Sequence, residues 1–537
     1  MEFMRSGALW FQALACGGLA GLLTEVLVLR LNPEIDPTAA SVLVGMALWM
    51  SWAGVAAGVP LALVLTLTAR LLPEERRRQW WPAPGLVSGV FVAAAALSWA
   101  NADLHAEYLS GTGHRTLGQD GVAWLIGALL AQASGVWVGR SRSGGALRVA
   151  FVCVFLALPM ARVATQPTPS RSVLGTPARS LGVPDRPLLV VGIEGLDSGV
   201  LRSHADGGRY PCLARLLEDG AWGPLRPHRP YLRQSQWTST ATGCLPRSHG
   251  LKERWSWRLR WLSDEPLRLL PWFPGGSRVM LPWFAAQQEP PPASLVPPLW
   301  ARLQASGVPT LVIGWPGAWD RFGPIATEST PPDDTPTSDD ALADPALAQA
   351  LNALGARGQE VIQAVAADRA RLNAARDAFV SGAGNVWLHL GLVAEARRQL
   401  EPQPSEDPTD EATLELIFEH LDRELARLLE TAGPETLTAV VSPVGLRALG
   451  ARERLLQAVG FGGDARASAR TCPDGLLILI GGERVARVQL PVATLPDVAP
   501  TLCYLLDLPV AQYMEGRVIV EAVEPAYLSA NPLRVVN

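Results

Sequence analysis

Serine and threonine crowd one stretch of this chain, Pro230 to Gly250 (PYLRQSQWTSTATGCLPRSHG), in the layout of an enzyme's nucleophile turn. A proline, a polar run expected to be extended, and a Ser/Thr-rich segment ending in Thr242-Gly243 predict a loop that enters a helix. The first turn of such a helix offers backbone N–H groups with no intrahelical partner, which suits an anion. His249, in RSHGL, and His389 have the chemistry of a general base. Neither has a His/Asp/Glu cluster beside it in sequence, so the expectation for both is a structural histidine. Asp197 and Asp422 fall at helix-starting or helical positions, where capping or surface pairing accounts for them.

Read with the strand PLLVVGIEGLD (Pro187 to Asp197) and the segment LPDVAPTLCYLLDLPVAQYMEGRVIVEA (Leu495 to Ala522), this stretch resembles the alkaline phosphatase superfamily, in particular its type I phosphodiesterase branch. The resemblance covers roughly the last two-thirds of the chain. It implies two metal ions, usually zinc, held by Asp and His, and a Thr or Ser that attacks a phosphate or sulfate ester. Dications neutralise the developing charge and lower the hydroxyl's pKa, which is why carboxylates and neutral imidazoles surround them.

Laid on this chain, the family's motifs meet other residues. GIEG puts Glu194 where the first Asp ligand belongs, a departure that could still bind a metal. The spacing to W-T-S-x-A-T-G, here Trp237 to Gly243, puts Arg233 at the nucleophile, and a guanidinium cannot serve there. Ser235, two residues on, would point the same way as Arg233 in an extended segment and is a displaced substitute. The G-x-D-x-x-x-H element falls on Gly391, Val393 and Arg397. The strand ending S-D-H-G falls on VVSPVGL, with Pro443 and Val444 at the ligand positions, and the last His is replaced by Thr471, ahead of Pro473-Asp474-Gly475. One carboxylate, two arginines, two valines, a proline and a threonine cannot hold two dications. No cofactor is therefore expected, zinc included. Arg233 and Arg397 are expected to fill the emptied space and pair with Glu194; the alternative is that the two guanidiniums hold a phosphate or carboxylate by bidentate contacts.

The elements that must position these residues show as alternating strand and helix patterns. PLLVVGI is a continuous apolar run of the kind a buried parallel strand shows, and CLARLLEDG (Cys212 to Gly220) has helical spacing with a glycine stop. PTLVIGW (Pro309 to Trp315), TLELIFEHLDRELARLLE (Thr413 to Glu430) and TLTAVVS (Thr436 to Ser442) continue the alternation. The prediction is an α/β domain over 187–525 with a largely parallel central sheet flanked by helices. A Trp-, Pro- and Arg-rich excursion over 252–300 reads as a cap-like insert near the site. Thr330 to Asp344 is acidic and Pro-rich and reads as a solvated loop, with an Ala-rich helical stretch from Pro345 to Ala383. Residues 165–186 read as a linker and 526–537 as a tail.

Composition adds a membrane part. The chain has 537 residues, 48% of them hydrophobic, and a mean hydropathy of +0.16, high for a wholly soluble protein. Apolar runs at Ala8 to Leu31, Ala39 to Ala69, Gly85 to Ala100, Gly121 to Gly139 and Val149 to Ala164 predict a five-helix transmembrane bundle over 1–164. Arg70 and Arg76 to Arg78 follow the second run, and Arg140, Arg142 and Arg148 the fourth. These mark cytoplasmic links and leave everything after the fifth helix outside, in the periplasm of a bacterial inner membrane. Gly17/Gly21, Gly54/Gly58 and Gly85/Gly89 are spaced for close helix approach within the bundle, while Gln12 and Glu25 are polar groups at membrane depth. No run of ionisable residues crosses several helices, which disfavours a transporter.

A formal net charge of −4 and a pI near 6.1 exclude a global polyanion binder, so no nucleic-acid partner is expected. The partners expected are membrane lipids and other membrane-protein subunits. The six cysteines show no metal or disulfide spacing and read as buried free thiols. The functional expectation is a membrane-anchored pseudoenzyme acting as a binding, scaffold or assembly subunit. The alternative is an active membrane phosphodiesterase or phospho-head-group transferase, on a layout similar to that of phosphoethanolamine transferases and lipoteichoic acid synthases.

Overall fold

A computed structural model describes residues 2–35, 40–73, 82–140, 144–164, 179–196, 208–252, 255–259, 267–273, 284–288, 294–317, 344–400, 408–445 and 473–536. The chain forms two compact units, Met1–Ser172 with Arg254–Glu289, and Val173–Glu253 with Pro290–Asn537.

The first unit is a helical bundle: α1 (Glu2–Leu31), α2 (Ala40–Ala56), α3 (Gly58–Leu71), α4 (Ala83–Leu104), α5 (Gly111–Arg140) and α6 (Gly144–Ala164). The second expected span is broken at Ala57 into α2 and α3, because Pro60 has no N–H to bond back into the preceding turn. Among the described residues, four stretches are long and apolar enough to cross a membrane: Gly7–Leu31, Ala47–Leu71, Ala83–Leu104 and Gly111–Val138. The fifth expected span does form a helix, α6, but is not one of these four; many of its side chains lie outside the described residues. A β-carbon on Gly17 would come 2.5 Å from the Ala53 carbonyl oxygen, and one on Gly21 2.4 Å from that of Trp49, so these glycines do let α1 and α2 touch. Gly85 and Gly89 have no such neighbour.

Residues Arg254–Glu289, expected as part of a cap-like insert of the α/β domain over 252–300, group with this helical unit. Their two strands, Trp255–Leu259 and Phe284–Gln288, pair as an antiparallel hairpin. Leu267, Trp257 and Phe273 join the apolar cluster of the helices. Two asparagines at helix ends seat the connecting chain. Asn32 donates to the Leu269 carbonyl (2.8 Å) and accepts from the Arg268 and Leu269 amides (both 2.9 Å), while Asn101 donates to the Trp272 carbonyl (3.0 Å) and accepts its amide (2.7 Å). A buried extended backbone needs such partners, and a carboxamide supplies donor and acceptor together.

The second unit is α/β, as expected. Its strands are β1 (Leu188–Ile193), β2 (Ala221–Arg226), β3 (Thr310–Ile313), β4 (Asn385–Leu390), β5 (Leu437–Val444), β6 (Asp474–Ile480), β7 (Val488–Gln489) and β8 (Ala493–Thr494). They form one eight-stranded sheet in the order β8-β2-β6-β5-β1-β4-β3, with β7 beside β2; only the pairings of β6 are antiparallel. Buried side chains on both faces explain the unbroken apolar runs of β1 and β5. The helices used below are α7 (Pro211–Asp219), α8 (Arg233–Thr242), α9 (Leu299–Ala305), α10 (Pro345–Ala353), α11 (Ala356–Val380), α12 (Leu392–Leu400) and α13 (Pro408–Ala432). The expected linker and tail are partly domain: Leu181 is buried in its core, and Val535–Val536 pairs with Val510–Ala511. Cys16, Cys153, Cys212, Cys244 and Cys503 are free, with Cys153 exposed, so burial holds for only some of them.

Asn32→Ala should strip the buried Arg268 and Leu269 amides of their acceptor and cost about 1–3 kcal/mol. The thermal midpoint of the detergent-purified protein should fall and trypsin should cut within 254–289 faster. An unchanged midpoint and cutting rate would show that the insert does not depend on this residue.

Candidate functional site

The site lies where β1, β4 and β5 end together. After Ile193 the chain passes from pairing with β4, where the Glu194 amide reaches the Leu390 carbonyl (3.4 Å), to pairing with β5, where the Gly195 amide reaches that of Val444 (3.2 Å). Crevices at the carboxyl ends of parallel strands are the usual ligand sites of such sheets. A cavity of about 390 Å³ opens here, lined by Glu194, Arg233, Glu360, Asp368, Arg371 and His389, among others.

Glu194 is the centre of this region and is largely buried. Its Oε2 accepts Arg233 Nε (2.7 Å) and its Oε1 accepts the Tyr231 hydroxyl (2.8 Å). Burial alone would raise the carboxyl; the Arg233 guanidinium and the His389 ring together outweigh it and hold the group well below the usual carboxylate range. His389 Nε2 stands 3.7 Å from Glu194 Oε2, beyond hydrogen-bond length. Burial pushes His389 down to about 4, so it is neutral at pH 7, its ring edge-on to Trp237 at 4.8 Å. Trp237 fits because residue 192 is glycine: a β-carbon there would lie 2.6 Å from the indole.

The expected extended run at 233–235 is instead the first turn of α8, with Leu232 as its extended N-cap residue. Two residues along a helix turn the side chain by about 200°. Arg233 therefore reaches the cavity with 42% of its side chain exposed, while Ser235 is fully buried, so the geometry expected of a displaced nucleophile is not met. His249 is also fully buried, within 3.0 Å of Ser239 Oγ and accepting the Leu251 amide; burial pushes it down to about 3.

Val393 and Arg397 share one face of α12, one turn apart. Val393 lies in the apolar core, and buried Arg397 donates to the Gly195 carbonyl (3.0 Å). No Arg397–Glu194 ion pair forms, which corrects the expectation that both arginines close on that carboxylate. Pro443 and Val444 end β5 as buried backbone, and Ser442 accepts the Leu196 amide (3.1 Å). Thr471 lies outside the described residues.

Sequence reasoning missed Tyr231 and Asp368. Asp368, on α11, accepts the Gly391 and Leu392 amides (3.1 and 2.8 Å) at the start of α12 and pairs with Arg371 at 3.0 Å. An aspartate on the buried face of a helix, three residues before an arginine, was the signal available. The arginines lining the cavity each face a carboxylate: Arg233 and Glu194, Arg371 and Asp368, Arg398 and Glu395 (2.5 Å).

A zinc pair does not fit these residues. Both Glu194 oxygens are taken by Arg233 and Tyr231, and Val393, Pro443 and Val444 have no side-chain donor. Among the described residues no three His, Cys, Asp or Glu side chains converge on one point. Residues 188–448 match the family model of type I phosphodiesterases / nucleotide pyrophosphatases. Over this stretch the chain is similar to that family. Similar solved structures include a 2-O GAG sulfatase (12% identity, 63% of this chain and 74% of that one, TM-score 0.38). Murine ectonucleotide pyrophosphatase / phosphodiesterase 5 is another (12%, 60% and 95%, 0.34), as is phosphonoacetate hydrolase from Sinorhizobium meliloti (15%, 49% and 57%, 0.29). No curated protein matches the chain significantly.

Glu194→Gln should destabilise the protein by about 1–3 kcal/mol at pH 7, less than a fully buried pair would cost because Arg233 is partly solvated. Since the folded carboxyl lies below its ordinary 4.5, its contribution is complete above that pH and is lost as pH falls further. The gap between wild-type and variant thermal midpoints should therefore be widest near pH 7 and narrow below about 4.5. A gap that stays constant to about pH 3 would show that the charge is not its source.

Proposed function

We propose that this protein is a membrane-anchored, catalytically silent member of the phosphodiesterase family, its α/β domain serving as a binding or assembly module for other membrane components. The observation that carries this reading is the Arg233–Glu194 pair. By the family's spacing Arg233 stands where the nucleophile would be and Glu194 where the first metal ligand would be, so the charge that would hold a metal is instead met by a guanidinium. Arginine stays protonated through the physiological range and cannot attack an ester. Neutral His389 has the chemistry of a base, but its ring is held in the aromatic core and Ser235 offers it no accessible hydroxyl.

The full-length protein in detergent, given bis-(4-nitrophenyl) phosphate with or without added Zn²⁺, should show no hydrolysis above the buffer rate. Metal-dependent turnover that chelation abolishes would overturn the reading and favour an active phosphodiesterase or head-group transferase.

We further propose that the α/β domain lies on the extracytoplasmic side of a bacterial inner membrane, with α6 as the fifth span. The Arg-rich links after the second and fourth spans support this. Alkaline phosphatase fused after residue 175 should be active in cells, whereas fluorescence of a cytoplasmic-only reporter fused there would reduce the count to four spans.

A further inference from the structure

The helical unit holds an ionic cluster that the phosphodiesterase-like site does not involve. Arg30, in the last turn of α1, donates through Nε to Asp120 Oδ2 (2.9 Å) and through Nη2 to the Arg162 carbonyl (3.0 Å). Arg162, in the last turn of α6, donates through Nε to the other oxygen, Asp120 Oδ1 (2.7 Å). Three helices are thus tied by one carboxylate, and both of its oxygens are engaged by guanidinium groups. Arg30 is only 4% exposed, and its Nη1 is buried with no acceptor among the described residues. A guanidinium presents its donors in one rigid plane. The geometry that satisfies Nε and Nη2 therefore fixes where an acceptor for Nη1 must sit.

We propose that this acceptor is the phosphate group of an anionic membrane phospholipid. Arg30 is one residue from the end of α1 and Arg162 two from the end of α6, and Asp120 immediately precedes the apolar run from Gly121. Arg30 and Arg162 therefore lie near the ends of their helices, where hydrocarbon gives way to head groups, and Asp120 reaches them from inside the Gly111–Val138 stretch. Arg162 is 31% exposed, so the cluster opens to its surroundings through that side chain. A buried guanidinium N–H left unpaired is costly, and a phosphate oxygen forms a charge-assisted bond with it. Asp120 holds both arginines in place and the lipid completes the set.

The test uses the full-length protein purified in dodecyl maltoside. Native mass spectrometry and thermal midpoints are read with phosphatidylglycerol, with dioleoylglycerol, which has similar tails and no phosphate, and with inorganic phosphate alone. Wild type should retain phosphatidylglycerol and gain thermal stability from it, and dioleoylglycerol should do neither. Arg30→Gln should reduce retention about tenfold or more. Because that change also frees Asp120, Arg162→Gln provides a second variant that leaves the Arg30–Asp120 pair intact, and it too should retain less. Equal retention of the two lipids, or wild-type retention in both variants, overturns the proposal. Inorganic phosphate stabilising the protein as much as the lipid does would overturn the assignment to a lipid.

Discussion

The carboxylate of Glu194 at the end of β1 is the constraint on which the α/β domain's site depends. Parallel strands start and finish together, so β4, β1 and β5 deliver their last residues to one place, and whatever charge is delivered must be answered there. Arg233 and Tyr231 answer it through both oxygens. This single pairing determines the chemistry available: a carboxylate so engaged is a poor metal ligand, and the side chain engaging it is no nucleophile.

The surroundings reinforce that arrangement. Trp237, Trp315, Trp387 and Trp300 meet edge to face at 4.9 to 6.1 Å behind the strand ends, and His389 packs on Trp237. Such a wall leaves little freedom for α8, whose residues after Arg233 are all buried. Asp368 has a comparable role on the other side of the cavity, where it fixes the start of α12 and so the direction of Arg397. The charged groups of the site are thus paired with one another.

The helical unit follows the same rule with different groups. Its interior is largely apolar. Asn32 and Asn101, at helix ends, satisfy the backbone of the insert, and Asp120, inside α5, satisfies two arginines. Backbone away from water must find partners within the protein, so a long insert can be seated on helices only where such side chains wait for it.

Much of this was legible in the sequence because it depends on local periodicity and spacing. Continuous apolar runs specified β1, β3 and β5, the motif order specified the fold, and the substitutions at Glu194, Arg233, Val393 and Arg397 were visible by counting. Side-chain direction was not. Whether Ser235 shared the cavity with Arg233 turned on one helical turn beginning at Arg233, which the burial of α8 against the tryptophans decides. Arg397 takes the Gly195 carbonyl and not Glu194, on a helix, α12, whose start is capped by a residue on α11. The insert's place, and the meeting of Arg30, Asp120 and Arg162 across 132 residues of chain, were likewise beyond sequence. Local pattern carries the period of each element, whereas the partners of buried charges and amides are chosen only when distant segments pack together.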